Sequence, residues 1–333
     1  MFNWVRSFLT NFYITVVIDD KDCKIYGEFV RKSKIIKTIK TKFDIVNSRI
    51  DPTFNKLIKK ESKNAYHSYI SVLLHTSKQW VLPQGKQYRK FGIDPSTSQI
   101  VKMPSGWSIF VSNSEFVDTK RLLNNIKMDL VYSPFSLLYE RIVQNKVDDK
   151  LTLYVYARDY STTMMIFRND KMKFGKYFNN DTKEDPIVDD KVLKSIDTTN
   201  LDDIIADEED KLINLETLQD IDSVDVGFSD GSFQDIQTIE EDDEEIDIER
   251  SVANLGKLAK LIENIKIGVK EYYSNKLYNS DFIESVVIFD AIEFDDHLSE
   301  TIQTEFLIEP IIYEADANQD LIRIVKRELN EKL

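Results

Sequence analysis

Few side chains in this 333-residue chain have the type and spacing for covalent or metal chemistry. The three histidines, His67, His75 and His297, make no metal-ligand pattern, and no cysteine cluster accompanies them. They read as structural or surface residues. Cys23 is the single cysteine, which excludes an internal disulfide framework and suits a reducing compartment. Asp19, Asp20 and Asp159 stand at polar turns. Carboxylates there can hold a metal ion, but more commonly they just terminate strands. Gly85-Lys86 lacks the two-glycine spacing, ending in Ser or Thr, of a phosphate loop. No metal and no cofactor is expected from these residues.

The elements around them follow a repeated plan. Leu151–Tyr156, Met164–Phe167 and Met172–Phe178 read as three strands, joined by a polar turn through Asp159 and a basic turn Arg168–Lys171. The same order occurs near the start, in Tyr13–Ile18, Ile25–Val30 and Ile35–Phe43. Branched and aromatic runs broken by Asp, Asn and Lys turns are the signature of a meander. Two meanders about 140 residues apart predict a duplicated α/β domain, with halves 1–146 and 147–333.

Between the meanders the pattern predicts a helix over Asp51–Ser62, a strand over Tyr66–His75 and a turn-rich loop over Pro83–Pro95. A strand Trp107–Ser112, a helix Asp118–Asn125 and a strand Asp129–Tyr132 follow. Ser133-Pro134 has the chemistry of a helix N-terminus, and the helix runs on to Gln144. Beyond the second meander come a long helix Ile248–Asn275, a strand Ser285–Phe289, a helix His297–Glu305, a strand Ile311–Tyr313 and a charged helix from Gln319. Met1–Tyr13 is expected to pack on the fold as an arm, with an interfacial amphipathic helix as the alternative. No run reaches the roughly 18–20 apolar residues of a membrane span.

The net charge of −14 conceals a division. Residues 1–180 carry +14, residues 181–250 carry −21 and residues 251–333 carry −7. The central block, with DDIIADEED at Asp202–Asp210 and EEDDEEIDIE at Glu240–Glu249, is expected to be a mobile, disordered acidic insertion.

Each half thus opens with a meander, and the second continues as long helix, strand, helix, strand. The stretches SIFVSNSEFVDTKRLLNNIKMDLVYSPFSLLYERIV (Ser108–Val143) and LGKLAKLIENIKIGVKEYYSNKLYNSDFIESVVIFD (Leu255–Asp290) carry a resemblance on this pattern. They resemble the actin-like (ASKHA) superfamily, of ribonuclease H-like fold. Within it they look like the type IV pilus assembly protein PilM and the cytoplasmic part of type II secretion protein L. The resemblance covers roughly 13–43, 105–178 and 251–313.

That likeness implies a nucleotide site whose positions are altered here. Matching Lys24 to the family's phosphate-loop lysine puts Val17 in place of an Asp and Asp19 in place of a Gly. Matching the second phosphate loop through Ser161-Thr162-Thr163 puts Tyr154 and Tyr156 at its positions, and Phe289 stands where paired glycines would be. Bulky and acidic residues deny phosphate the close backbone approach that glycine allows. The resemblance therefore implies a non-catalytic cytoplasmic scaffold, peripheral to the inner face of a bacterial inner membrane, in a pilus, type II secretion or competence machine. Its implied partners are the cytoplasmic tail of a single-span assembly protein and the motor ATPase. Trp80, Tyr88, Tyr66 and Tyr69 are the expected aromatic anchors of that tail. Two alternatives stay open: an actin-like ATPase with an unusual site, and a nucleic-acid binder using Lys32, Lys34, Lys37, Lys40 and Lys42.

Overall fold

The branched and aromatic runs that open each half form long antiparallel strands, as such residues do on pleated, buried surfaces. The computed structural model describes residues 9–145, 149–180, 241–294 and 297–331. In the first half, β1 (Asn11–Ile18), β2 (Asp22–Arg31) and β3 (Lys34–Val46) make the meander, and a short β4 (Arg49–Ile50) pairs with the end of β3. β5 (His67–Leu73) joins β1 in parallel, and β9 (Leu130–Tyr132) joins β5. The order is β4-β3-β2-β1-β5-β9.

The second half repeats the arrangement. β10 (Leu151–Arg158), β11 (Ser161–Arg168) and β12 (Lys171–Asn179) form its meander. β13 (Ser285–Asp290) and β14 (Pro310–Glu314) add in parallel, giving β12-β11-β10-β13-β14. In each half the first strand lies between an antiparallel and a parallel neighbour. The duplicated α/β plan expected from the two meanders is therefore present.

A third sheet was only partly foreseen. β6 (Gln79–Leu82), β7 (Ser98–Lys102) and β8 (Ser108–Ser112) pair in the order β6-β8-β7. Only β8 was expected. The other two are short strands flanking a turn-rich segment, too brief to show a period.

Helices form at Thr53–Ser62, Asn113–Leu122, Pro134–Gln144, Glu241–Ser274, His297–Phe306 and Ala317–Glu331. Ser133 caps the third of these, its Oγ accepting the Phe135 N–H at 3.2 Å, with proline at the first helical position. The helix expected at Asp118–Asn125 instead starts at Asn113 and stops at Leu122, because Asn124 and Asn125 take left-handed conformations (φ 52° and 59°). The helix expected from Ile248 begins at Glu241, inside the acidic run, where Glu is a good helix former and negative charge suits the N-terminal end. The rest of the expected acidic insertion lies outside the described residues. So does most of the N-terminal arm, although Phe12 and Tyr13 are buried strand residues of β1.

The last helix, Ala317–Glu331, follows the second half in sequence but packs mainly on β1 of the first. Leu321, Ile322, Ile324 and Val325 share one core with Tyr13, Val17, Phe135, Tyr154, Tyr156 and Phe289. The long helix covers the other face of the second sheet through Leu258, Leu261, Ile262 and Ile265. Gly268 and Gly175 permit close approach between elements. A Cβ on Gly268 would overlap the Met164 sulfur, and one on Gly175 would lie 2.5 Å from Val81 Cγ2. Gly175 thus lets the small sheet pack against β12. Because branched Val81 cannot swing aside, Gly175→Ala should destabilise the protein by about 1–3 kcal/mol. Urea unfolding of the two proteins measures this directly.

Candidate functional site

The two meanders bring their first turns together. Where the turn after β1 meets the turn after β10, the halves enclose a cleft of about 520 Å³. Val17, Asp19 and Lys24 line it from the first half, and Arg158, Asp159 and Asn318 from the second.

Its floor is a buried ion pair. Arg158 ends β10 and is 4% exposed, while Asp19 follows β1 and is 3% exposed. Arg158 Nη2 donates to Asp19 Oδ1 at 2.5 Å and to the Ile18 carbonyl at 3.1 Å. Above them Asp159 accepts from Lys24 at 3.1 Å and from Lys257 at 2.8 Å. Lys24 Nζ also lies 3.7 Å from Asp19. Burial alone would push the Asp159 carboxyl up, but the hydrogen bonds and charges of Lys257 and Lys24 hold it below the usual range. Burial likewise presses Lys24 down, and Asp19 and Asp159 together raise it.

The opposite wall offers backbone N–H groups, and the chain's own carboxylates take them. Asp290 accepts from the N–H of Ile292 (2.8 Å), Glu293 (3.2 Å) and Phe294 (2.8 Å). Asp316 accepts from Asn318 (2.9 Å) and Gln319 (3.1 Å), capping the last helix. Turn and helix-terminal N–H groups are the ones that would otherwise cradle a phosphate. Among the cations lining the cleft, Lys42 is engaged by Asp22 at 2.8 Å, and Lys40 has no ion-pair partner among the described residues.

Of the six positions matched to a nucleotide site, Val17, Asp19 and Lys24 lie at the cleft. Tyr154, Tyr156 and Phe289 do not: all are at most 1% exposed and belong to the core. The Tyr156 hydroxyl donates to Asp320 at 2.7 Å, and Phe289 stacks on Tyr313 at 5.7 Å. The match through Ser161-Thr162-Thr163 slipped because β11 has already begun there. Those hydroxyl residues are buried, and Thr162 meets Asn264 at 3.1 Å. Arg158 and Asp159 occupy the turn itself. Asp159 could have been found from the repeat, since it stands 140 residues after Asp19.

A larger groove, about 790 Å³, lies in the first half between the β3–β4 turn and the helix Asn113–Leu122. Arg49, His75, Glu115, Asp118, Arg121 and Asn125 are among its lining residues. His75 is fixed between Asp20 (2.6 Å) and the Tyr177 hydroxyl (3.1 Å). None of the four expected anchors lines this groove. Trp80 and Tyr88 share the face of the small sheet that bears Phe110: Trp80 is its strand partner, and Tyr88 meets it edge-on at 5.4 Å. They are 41% and 38% exposed. Tyr66 is exposed beside His67, and Tyr69 stacks on Tyr13 at 5.6 Å. These two lie towards the other end of β5 from His75. The lysines of β3 are partly used internally, Lys37 by Glu61 at 2.6 Å and Lys42 by Asp22. Among the described residues, no group of three or more His, Cys, Asp or Glu side chains is placed to hold a metal ion, and no helix is long and apolar enough to cross a membrane.

Removing one partner of a buried pair strands the other. Asp19→Asn should therefore cost about 3–5 kcal/mol, and the double change Asp19→Leu/Arg158→Met clearly less than the single one. Chemical denaturation of the three proteins provides the comparison.

Two family models match the chain. One, described as Domain of unknown function (DUF8569), covers residues 8–139, and the other, described as Domain of unknown function (DUF8341), covers residues 153–330. No curated protein matches it by sequence. Among solved structures, the PilM-PilN type IV pilus biogenesis complex is 11% identical with a TM-score of 0.50, over 92% of this chain and 89% of that one. A Bacteroides thetaiotaomicron protein with actin-like ATPase fold and unknown function is 7% identical with a TM-score of 0.48, over 97% and 99%. The ethanolamine utilization protein EutJ from Carboxydothermus hydrogenoformans is 8% identical with a TM-score of 0.39, over 90% and 84%. At such identities the likeness to the pilus protein is one of fold. The chain has the actin-like fold and belongs to the family described as Domain of unknown function (DUF8341), whose model spans more than half of it.

Proposed function

We propose that this protein is a non-catalytic scaffold of an envelope assembly machine related to type IV pilus biogenesis. In this reading it sits beneath a membrane and holds the cytoplasmic tail of an assembly protein. One observation carries the non-catalytic part: apart from Lys40, the cations of the central cleft, and the N–H groups of its wall, are engaged by the chain's own carboxylates. Arg158 is taken by Asp19, Lys24 and Lys257 by Asp159, and the turn after β13 by Asp290. A triphosphate would have to displace these partners while adding negative charge beside them. Mg-ATP at millimolar concentration should therefore leave the melting temperature unchanged, whereas a ligand at 100 times its Kd adds about 2.7 kcal/mol. A clear upward shift would restore the ATPase reading.

The fold likeness to a complex of PilM with PilN supports capture of a partner segment. The first-half groove is the seat we assign to it, being concave and large enough for several residues of a peptide. Arg49 has no ion-pair partner among the described residues, and Arg121 has only the exposed Asp118 at 3.4 Å. Arg49→Glu/Arg121→Glu should abolish tail capture in a pull-down without lowering the melting temperature. A second seat is favoured by the joint exposure of Trp80 and Tyr88 over Phe110. Should Trp80→Ala/Tyr88→Ala abolish capture while the arginine variant retains it, the tail lies on the small sheet instead.

A further inference from the structure

The β2–β3 hairpin turns at the end of the first sheet opposite the groove. Lys32 and Ser33 form its two-residue turn, both left-handed (φ 51° and 60°), so the tip is tight. Just beyond it, Ile35 and Ile36 are 52% and 50% exposed. They sit at a bulge: Val30 pairs with Ile35 and Phe29 with Lys37, which leaves Ile36 without a ladder partner. Two adjacent branched residues are thus held in water at the tip of a hairpin. The groove's β3–β4 turn lies at the other end of the 13-residue β3, about 40 Å away.

The charge around these isoleucines is of one sign. No Asp or Glu stands between Glu28 and Asp44, while Arg31, Lys32 and Lys34 crowd the turn. Arg31 and Lys34 form no ion pair among the described residues. The flanking acids are buried and engaged, Glu28 by Lys326 and Glu61 by Lys37. Farther along β3, Lys42 is matched by Asp22, so the unmatched charge gathers at the tip. The last turn of the helix Thr53–Ser62 adds exposed Lys59 and Lys60 beside Glu61. Tyr66, 64% exposed, stands at the same end of the sheet, where its N–H donates to the Thr10 carbonyl at 2.8 Å. The chain also enters β1 here, Asn11 facing Val30, after a sequence that carries Phe2, Trp4, Val5 and Phe8.

We propose that this tip contacts an anionic lipid surface, seating Ile35 and Ile36 at the boundary of headgroups and acyl chains. Arg31, Lys32 and Lys34 then meet the lipid phosphates. Neither signal suffices alone: a small apolar contact holds a membrane weakly, and a few cations act only within a Debye length of it. Joined on one tip, they reinforce each other. A tyrosine beside them suits the same boundary, with its apolar ring and polar end. A nucleic acid would use the cations but leave both isoleucines in water. With a net charge of −14 the chain as a whole is repelled by such a surface, so contact falls to this local cluster. The inference rests on the membrane-side placement proposed above and supplies its point of contact. A tail seated in the groove must then span about 40 Å from the lipid, roughly a dozen extended residues.

The test uses the full chain and vesicles of phosphatidylcholine with or without phosphatidylglycerol. The protein should float with the anionic vesicles alone. Ile35→Ser/Ile36→Ser, which keeps every charge, should weaken vesicle binding about tenfold or more with an unchanged melting temperature. Arg31→Gln/Lys34→Gln should weaken it comparably at low salt. Cys23 is buried, so a polarity-sensitive fluorophore attached to Ile36→Cys reports the tip alone. Its emission should shift to the blue on anionic vesicles and stay in place on double-stranded DNA. Flotation with a fluorophore that stays in water, or with an isoleucine variant that binds equally well, would overturn the tip but keep the membrane-side placement. No flotation at all would remove both. Tail capture, assayed without lipid, keeps the groove reading separate.

Discussion

Two charges removed from water, Arg158 and Asp19, join the ends of the two central strands. Burying such ions costs several kcal/mol each, and the cost is offset only by close geometry and further hydrogen bonds. Nη2 has both, a 2.5 Å contact with Asp19 and a second bond to the Ile18 carbonyl, while Nη1 is buried with no partner among the described residues. Each partner sits where its strand turns, so the pair sets how closely the two halves approach. The half-exposed bridge Lys24–Asp159–Lys257 repeats the connection nearer to solvent, where it is worth less. An actin-like fold whose halves are tied in this way has its closure written into its side chains.

Much of this architecture was legible because the first strand of each meander is long and largely apolar. Val16 to Ile18 and Leu153 to Ala157 are apolar throughout, as strands covered on both faces must be. The small sheet was less legible, since β6 and β7 have only 4 and 5 residues and border prolines and glycines. The site was legible only in part. Asp19 and Lys24 could be placed from the first turn, but Arg158 looks like an ordinary charged strand end until its partner 139 residues away is known. Tyr154 and Tyr156 misled because a run of hydroxyls resembles a loop, whereas Thr162 serves a buried contact with Asn264. Long-range pairing leaves no local pattern to read.

Charge behaves similarly. The +14 of residues 1–180 suggests a strongly basic surface. Along β3, though, Lys37 and Lys42 are paired with Glu61 and Asp22, acids already counted in that sum. Exposed pairs of this kind add little stability, but they dissipate the field that would draw a polyanion to β3.

The last helix has a consequence for synthesis. Asn318 bonds to Thr15 across 303 residues, Lys326 reaches Glu28 across 298, and Arg327 reaches Glu140 across 187. A face of β1 therefore waits for a helix made about 300 residues after it. At roughly 5–20 residues per second, a ribosome needs on the order of 15–60 s to deliver that helix. Throughout that interval Tyr13 and Val17 lack part of their cover, and the nascent first half presents apolar surface to its surroundings. The first half completes this part of its core only when that helix docks.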